Sequence, residues 1–208
     1  MNMNDRKFIR PIQIFSKSNI YMDKKNLKPI LEASYQPVGK AEKTLEKLGY
    51  TFDKKLSSNE SKVFIDQQGN PNIAFRGSTT AKDWLISDPL LGIGFEKYDP
   101  RVKQSQALTK KVEKKYNKPV DVFGHSLGGS LAERSGATGN IITYNKGAGI
   151  EDIGKTIPKN QTDIRSKADI PSLFSLTQKY SKGDFINLPT PILQNPIKAH
   201  SLENLNFI

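Results

Sequence analysis

Residues 121–132 read DVFGHSLGGSLA and place Ser126 at the centre of a Gly-x-Ser-x-Gly motif. The residues before it, 119–123, are typical of a short buried strand, and residues 127–134 are typical of the start of a helix. A chain that passes directly from strand to helix at a serine needs a strained backbone, which Gly124 and Gly128 permit because they have no side chain. We therefore predict that the Ser126 hydroxyl stands out at the top of a sheet, where it can act as a nucleophile.

The backbone N–H that follows such a serine lies at the amino end of a helix. That N–H belongs to Leu127, and we expect it to face an oxyanion formed during attack by Ser126. The alternative is an ordinary glycine-rich turn that carries no chemistry.

A serine nucleophile needs a base, and the chain has two histidines. His125 adjoins Ser126, but its side chain projects in another direction, so His200 is the candidate base. The alternative for His200 is a packing or surface histidine near the end of the chain. An acid that orients the base is expected between serine and histidine, and the candidates are Asp152, Asp163, Asp169 and Asp184. Asp169 is preferred because it follows a strand-like segment, 162–167, and Asp184 is second.

The rest of the pattern predicts an α/β fold. Helical spacing of apolar residues covers 38–48 and 101–117. Two β-rich segments at 62–66 and 72–75 flank a turn, and together they predict a β-hairpin. With the serine strand and another strand at 141–144, this alternation predicts a mainly parallel sheet covered by helices on both faces. Loops at the carboxyl ends of the strands are where ligands bind in such sheets.

The composition is that of a single soluble domain. The 208 residues can bury a sizeable core, and we predict a basic extension at 1–35, packed or partly disordered, before a compact domain at 36–208. No apolar run is long enough to span a membrane, and the amino terminus lacks the apolar core of a secretory signal. With no cysteine, disulfides, thiolate metal sites and cysteine nucleophiles are excluded.

The chain is strongly basic, with 32 Lys and Arg against 21 Asp and Glu and a formal net charge of +11. This charge favours an anionic partner, such as an acidic membrane surface. Arginine is scarce, however, and no specific nucleic-acid partner is expected, because readout of bases and phosphates depends on the guanidinium group. A solvated lysine-rich face is the alternative.

Several motifs occur together in the order found in one known family. They are IAFRGSTTAKDWLISD at 73–88, GIGF at 92–95, VFGHSLGGSLA at 122–132, ADIP at 168–171 and AHSL at 199–202. This set resembles the class 3 lipases, a branch of the α/β hydrolases that includes fungal triacylglycerol lipases. The resemblance covers about residues 60–205.

The resemblance implies an α/β-hydrolase fold and a lipase or phospholipase that cleaves acyl esters through an acyl-enzyme. It implies that Ser126 is the nucleophile, His200 the base and Asp169 the orienting acid, and it requires no cofactor and no metal. The residue after the FRG triplet supplies its N–H and hydroxyl to the oxyanion hole in this family. That residue is Ser78 here, with the Leu127 N–H as second donor.

The segment after Ser78 corresponds to the lid of the family. Trp84, Leu85 and Ile86 would lie over the site and contact substrate, although core packing of Trp84 is the alternative. The family has a longer insertion before GIGF, often ending in histidine where Ile93 stands here. This difference predicts a short or fixed lid.

Two other functions fit the same residues. The triad could serve a water-soluble ester or thioester, or the fold could be a catalytically silent structural or membrane-binding protein. Retention of serine, aspartate, histidine and Ser78 together argues against the silent protein.

Overall fold

The structure is a computed structural model that describes residues 24–78, 100–170, 172–180, 183–188 and 195–207. Residues 1–23 of the predicted extension lie outside this part of the chain. So do the predicted lid residues Trp84, Leu85 and Ile86.

In the described residues, a seven-stranded sheet has its strands in the same order as in the chain. The strands are β1 (Thr51–Phe52), β2 (Ser61–Ile65), β3 (Pro71–Phe75), β4 (Asp121–His125), β5 (Ile141–Tyr144), β6 (Gln161–Ser166) and β7 (Asp184–Leu188). Strands β1 to β3 pair antiparallel, and β3 to β7 pair parallel. The antiparallel pairing of β2 with β3 confirms the predicted hairpin.

The helices connect the strands and cover them. They are α1 (Leu27–Ser34), α2 (Val38–Lys47), α3 (Pro100–Tyr116), α4 (Leu127–Arg134) and α5 (Pro196–His200). Short 3-10 helices occur at Lys24–Asn26, Ile150–Asp152, Leu173–Thr177 and Leu202–Phe207. The predicted helices at 38–48 and 101–117 are therefore confirmed to within a residue or two at their ends.

Both faces of the sheet are buried, because successive side chains of a strand point to opposite sides. Phe123 and Ile142 pack on one face with α1 and α2, and Val122 and Ile141 pack on the other face with α3 and α4. A mainly parallel sheet with helices on both faces is the predicted α/β-hydrolase architecture. The loops that follow β4, β5 and β6 leave the sheet at its carboxyl edge.

Helix α1 falls within the segment that we assigned to an N-terminal extension. Its residues Leu27, Ile30, Leu31 and Ser34 are buried, and it packs on β3 and β4. The spacing of these residues, three or four apart, is the helical signal. The surrounding lysines obscure it in the sequence. The domain boundary at residue 35 remains a prediction.

Candidate active site

Ser126 lies between β4 and α4 with a backbone φ of 58° and ψ of −130°. Serine rarely adopts a positive φ, and such strain concentrates at functional sites. A β-carbon on Gly124 would overlap the backbone of Gly128, and one on Gly128 would overlap the carbonyl oxygen of Phe75 in β3. Glycine is therefore required at both positions so that strand and helix can approach. This is the strained turn expected from the sequence.

The carbonyl oxygen of Ser126 is also held. It accepts hydrogen bonds from the N–H groups of Gly129, at 2.9 Å, and Gly147, at 3.0 Å. The second of these ties the turn to the loop after β5. Ser126 itself is buried, with 8% of its surface exposed. The turn is thus anchored on both sides by backbone contacts.

Asp169 and His200 form a direct buried pair. The Nδ1 of His200 lies 2.6 Å from Oδ1 of Asp169, and the two residues are 6% and 0% exposed. The second carboxylate oxygen of Asp169 accepts the N–H of Ser172 at 2.9 Å. The carboxylate is therefore fixed at both oxygens and can stabilise positive charge on the imidazole.

The other three candidate aspartates have different surroundings. Asp184 begins β7, at the opposite edge of the sheet from the carboxyl ends of the parallel strands. Asp152 pairs with Arg134, and Asp163 pairs with Lys146. Asp169 is thus the candidate that meets His200.

The backbone around His200 is held by side chains at four consecutive carbonyls, residues 198–201. Asn204 Nδ2 donates to the carbonyl of residue 198 at 2.9 Å, and Asn145 Nδ2 donates to that of residue 199 at 3.0 Å. His125 bonds the carbonyl of residue 200 at 2.7 Å, and the Tyr144 hydroxyl donates to that of residue 201 at 3.1 Å. We did not identify these groups from the sequence, because they come from separate elements.

The contacts of His125 determine its tautomer. A carbonyl oxygen only accepts, so Nε2 of His125 carries the hydrogen that bonds the His200 carbonyl. Nδ1 is then an acceptor, and the Tyr35 hydroxyl donates to it at 2.8 Å. Burial, and secondly the neighbouring His200, lower the pKa of His125 to about 3. His125 is therefore neutral at neutral pH and supports the backbone of His200.

Nε2 of His200 is buried and has no hydrogen-bond partner among the described residues. The rings of His125 and His200 are 4.7 Å apart between centroids, which places His200 beside the residue that precedes Ser126. A hydrogen bond between the Ser126 hydroxyl and Nε2 is not formed in this structure. Catalytic hydrogen bonds in free enzymes are often long and shorten when substrate binds.

The two predicted oxyanion donors adjoin the same turn. A β-carbon on Gly77 would lie 3.3 Å from Cβ of Ser126, so the end of β3 and the following Ser78 are next to the serine. Ser78 is partly exposed. Leu127 is the first residue of α4, so its N–H has no acceptor within the helix.

A buried ion cluster lies behind the turn. Lys146 contacts the carboxylate of Glu133 in α4, Asp163 Oδ2 in β6 at 2.7 Å and Gln178 Oε1 at 2.9 Å. Lys155 also pairs with Glu133, at 2.7 Å. Burial opposes ionisation of Glu133, but the charges of Lys146 and Lys155 outweigh it and lower its pKa to about 2. The cluster joins α4 to β6 and was not predicted from the sequence.

The chain is similar to one known protein family and to several solved structures. The model of a family described as "Phospholipase-like: Tle-like phospholipase domain" matches residues 16–171. No curated protein matches the chain. Among solved structures, a mutant form of MDLA from Penicillium cyclopium is 16% identical, over 81% of this chain and 77% of that chain, with a TM-score of 0.47. The Lip2 lipase from Yarrowia lipolytica is 13% identical, over 84% of this chain and 82% of that chain, with a TM-score of 0.49.

Proposed function

The chain belongs to the family of the Tle-like phospholipase domain, a lipase-type hydrolase, and on this premise we propose that it is a serine hydrolase that cleaves acyl esters of glycerolipids. Ser126 is the nucleophile, His200 the base and Asp169 the acid that orients the base. The observation that carries the proposal is the buried Asp169–His200 pair. Its imidazole Nε2 has no partner among the described residues, and its ring lies 4.7 Å from that of His125, which precedes the strained Ser126.

The first half of the reaction forms an acyl-enzyme. Asp169 accepts the Nδ1 hydrogen of His200, which leaves Nε2 unprotonated and able to take the Ser126 proton. The serine oxygen bonds the ester carbonyl carbon, and the negative charge that moves to the carbonyl oxygen is stabilised by the Ser78 and Leu127 donors. When the ester bond breaks, His200 returns the proton to the departing alcohol oxygen.

The second half regenerates the enzyme. His200 takes a proton from water, and the resulting oxygen nucleophile attacks the acyl carbon. The bond to the Ser126 oxygen then breaks, that oxygen recovers a proton from His200, and a fatty acid is released. Trp84, Leu85 and Ile86, outside the described residues, are proposed to cover the site and contact the acyl chain.

The direct experiment is labelling with a fluorophosphonate, followed by product analysis on phospholipid and triacylglycerol vesicles. We expect the folded protein to be labelled and to release fatty acid, and Ser126→Ala to lose both activities. Thr51→Val, which removes an exposed hydroxyl from β1, is the matched control and should behave as wild type. Absence of labelling in folded wild-type protein would exclude the serine mechanism and favour a silent protein.

A series of esters with increasing acyl length separates lipids from soluble substrates. If a groove accepts the acyl chain, kcat/KM rises with chain length. A preference for short water-soluble esters or thioesters would replace the lipid substrate while retaining the same triad.

A further inference from the structure

Large apolar side chains are exposed at one place in the described part of the chain. They belong to two short segments at the carboxyl edge of the sheet, and their exposed fractions run from 39% to 65%: Ile150, Ile153, Ile170, Leu173 and Leu176. Single exposed apolar residues are common on protein surfaces, but a contiguous group marks an interaction site. We call this group the apolar face.

The two segments are neighbours. The 3-10 helix Ile150–Asp152 packs against the 3-10 helix Leu173–Thr177. Below them, Ile157 N–H donates to the Lys179 carbonyl at 3.1 Å, and Lys179 N–H donates to the Lys155 carbonyl at 2.8 Å. The apolar face is therefore one surface made by two connected loops.

Buried polar contacts hold both segments with their apolar side chains outward. Asp152 is buried, accepts the N–H of Gly149 at 3.0 Å and pairs with Arg134 at 3.0 Å. Ser172 is buried and bonds Asp169 through its N–H. The exposure of the isoleucines and leucines thus belongs to the folded arrangement.

The apolar face adjoins the proposed catalytic site. Ile170 directly follows Asp169, and the segment that carries Leu173 and Leu176 begins at Ser172, which bonds the Asp169 carboxylate. Exposed lysines also lie close by in the chain. Lys198 is two residues before His200, and Lys179 ends the second segment.

We propose that the apolar face binds the surface of an anionic lipid bilayer and brings the catalytic site to its substrate. Aliphatic side chains enter the boundary between headgroups and acyl chains, and nearby lysines meet the lipid phosphates. The surface is formed by the loops after β5 and β6, and none of its residues belongs to the predicted lid segment. This inference rests on the proposed function, which it deepens by stating how the substrate is approached.

Binding is tested separately from catalysis by flotation of the 208-residue Ser126→Ala protein with vesicles. We expect binding to vesicles of phosphatidylglycerol and phosphatidylcholine, and weaker binding to phosphatidylcholine alone. Leu173→Ser with Leu176→Ser should weaken binding about tenfold or more, because both side chains lose apolar contact with the bilayer. Ile150→Ser with Ile153→Ser should give a similar loss. The fold of each variant is checked by its unfolding midpoint.

A control separates this face from the general positive charge. Lys110→Ala with Lys111→Ala removes two exposed charges from α3, far along the chain from the apolar face, and should retain most of the binding. Unchanged vesicle binding in both double variants of the apolar face, or an equal loss of binding in Lys110→Ala with Lys111→Ala, would overturn the proposal. Self-association of the wild type that the double variants of the apolar face abolish would also overturn it, since a second copy of the chain would then be the occupant.

The two proposals fail in different ways. Vesicle binding by wild type without fluorophosphonate labelling would contradict the catalytic proposal and leave the membrane face standing. Fluorophosphonate labelling of the wild type, together with unchanged vesicle binding by the double variants of the apolar face, would contradict the membrane proposal and leave the catalytic proposal standing. In the wild-type background, Leu173→Ser with Leu176→Ser should keep its activity on a short soluble ester and lose activity on vesicles.

Discussion

His125 lies next to Ser126 in the sequence, but its contacts in the structure are with other parts of the chain. It adjoins the proposed nucleophile, yet its ring connects Tyr35 to the backbone of His200. A positioning residue of this kind acts through His200 and touches no reacting atom. Because errors of about 1 Å in catalytic geometry can cost about a hundredfold in rate, this support matters for turnover.

We therefore expect His125→Phe to lower kcat by about 10- to 100-fold with little change in KM. His125→Gln should recover part of the loss, because its amide can also donate to the His200 carbonyl. Steady-state kinetics on a soluble ester measures both variants. If the two variants were equally impaired and equally destabilised, His125 would be a packing residue.

Ser78 is the residue that tests the oxyanion assignment. Ser78→Ala removes a hydroxyl donor and should cost about 3 kcal/mol of transition-state stabilisation, which appears as a fall in kcat. The free energy of unfolding should stay near that of wild type because Ser78 is partly exposed. Denaturant unfolding and ester kinetics on the same preparation give both numbers. Unchanged turnover would remove Ser78 from the oxyanion hole.

At the scale of elements, the connection from β4 through Ser126 to α4 depends on close packing. Gly128→Ala should destabilise the fold by about 1–3 kcal/mol, because its β-carbon would meet the Phe75 carbonyl. Gly39→Ala in α2 is the matched control. Nothing lies within 4 Å of its added carbon, so we expect it to be neutral or stabilising by up to about 1 kcal/mol. Thermal unfolding compares the two, and equal effects would contradict the packing argument.

Elements whose signals are local were predicted correctly from the sequence. The strand, turn and helix around Ser126 lie within about fifteen residues, and the hairpin of β2 and β3 is marked by its turn. Asp169 is preferred in the sequence because it follows a strand-like segment, and the order of the motifs favours the same residue. In the structure it contacts His200, and its role as the orienting acid stays a prediction. The carbonyl contacts around His200 could not be anticipated in this way. Tyr35 and His125, for example, are 90 positions apart, and their contact exists only in the folded chain.

Across the whole molecule, the cluster around Lys146 links α4, β6 and the loops that follow β5. The Lys146 ammonium is buried together with two carboxylates, and removing it would leave Asp163 without this ion-pair partner and Glu133 with Lys155 alone. Loss of one partner of a buried ion pair costs about 3–5 kcal/mol. Lys146→Met should therefore destabilise the protein by that order, whereas Lys114→Met on the exposed face of α3 should have little effect. Urea unfolding measures both, and equal midpoints would show that the cluster contributes no net stability.

The same cluster predicts how stability depends on pH. The pKa of Glu133 is about 2 in the folded protein against 4.5 for the free side chain, so the unfolded chain binds the proton more tightly. Its contribution is then fully present above about pH 5 and is lost as the pH falls from about 4.5 towards 2, with a total of about 3 kcal/mol. Glu133→Gln should remove this part of the acid dependence and leave the unfolding curve flatter below pH 5. Unfolding midpoints measured between pH 7 and 3 test the prediction, which fails if wild type and Glu133→Gln lose stability in parallel.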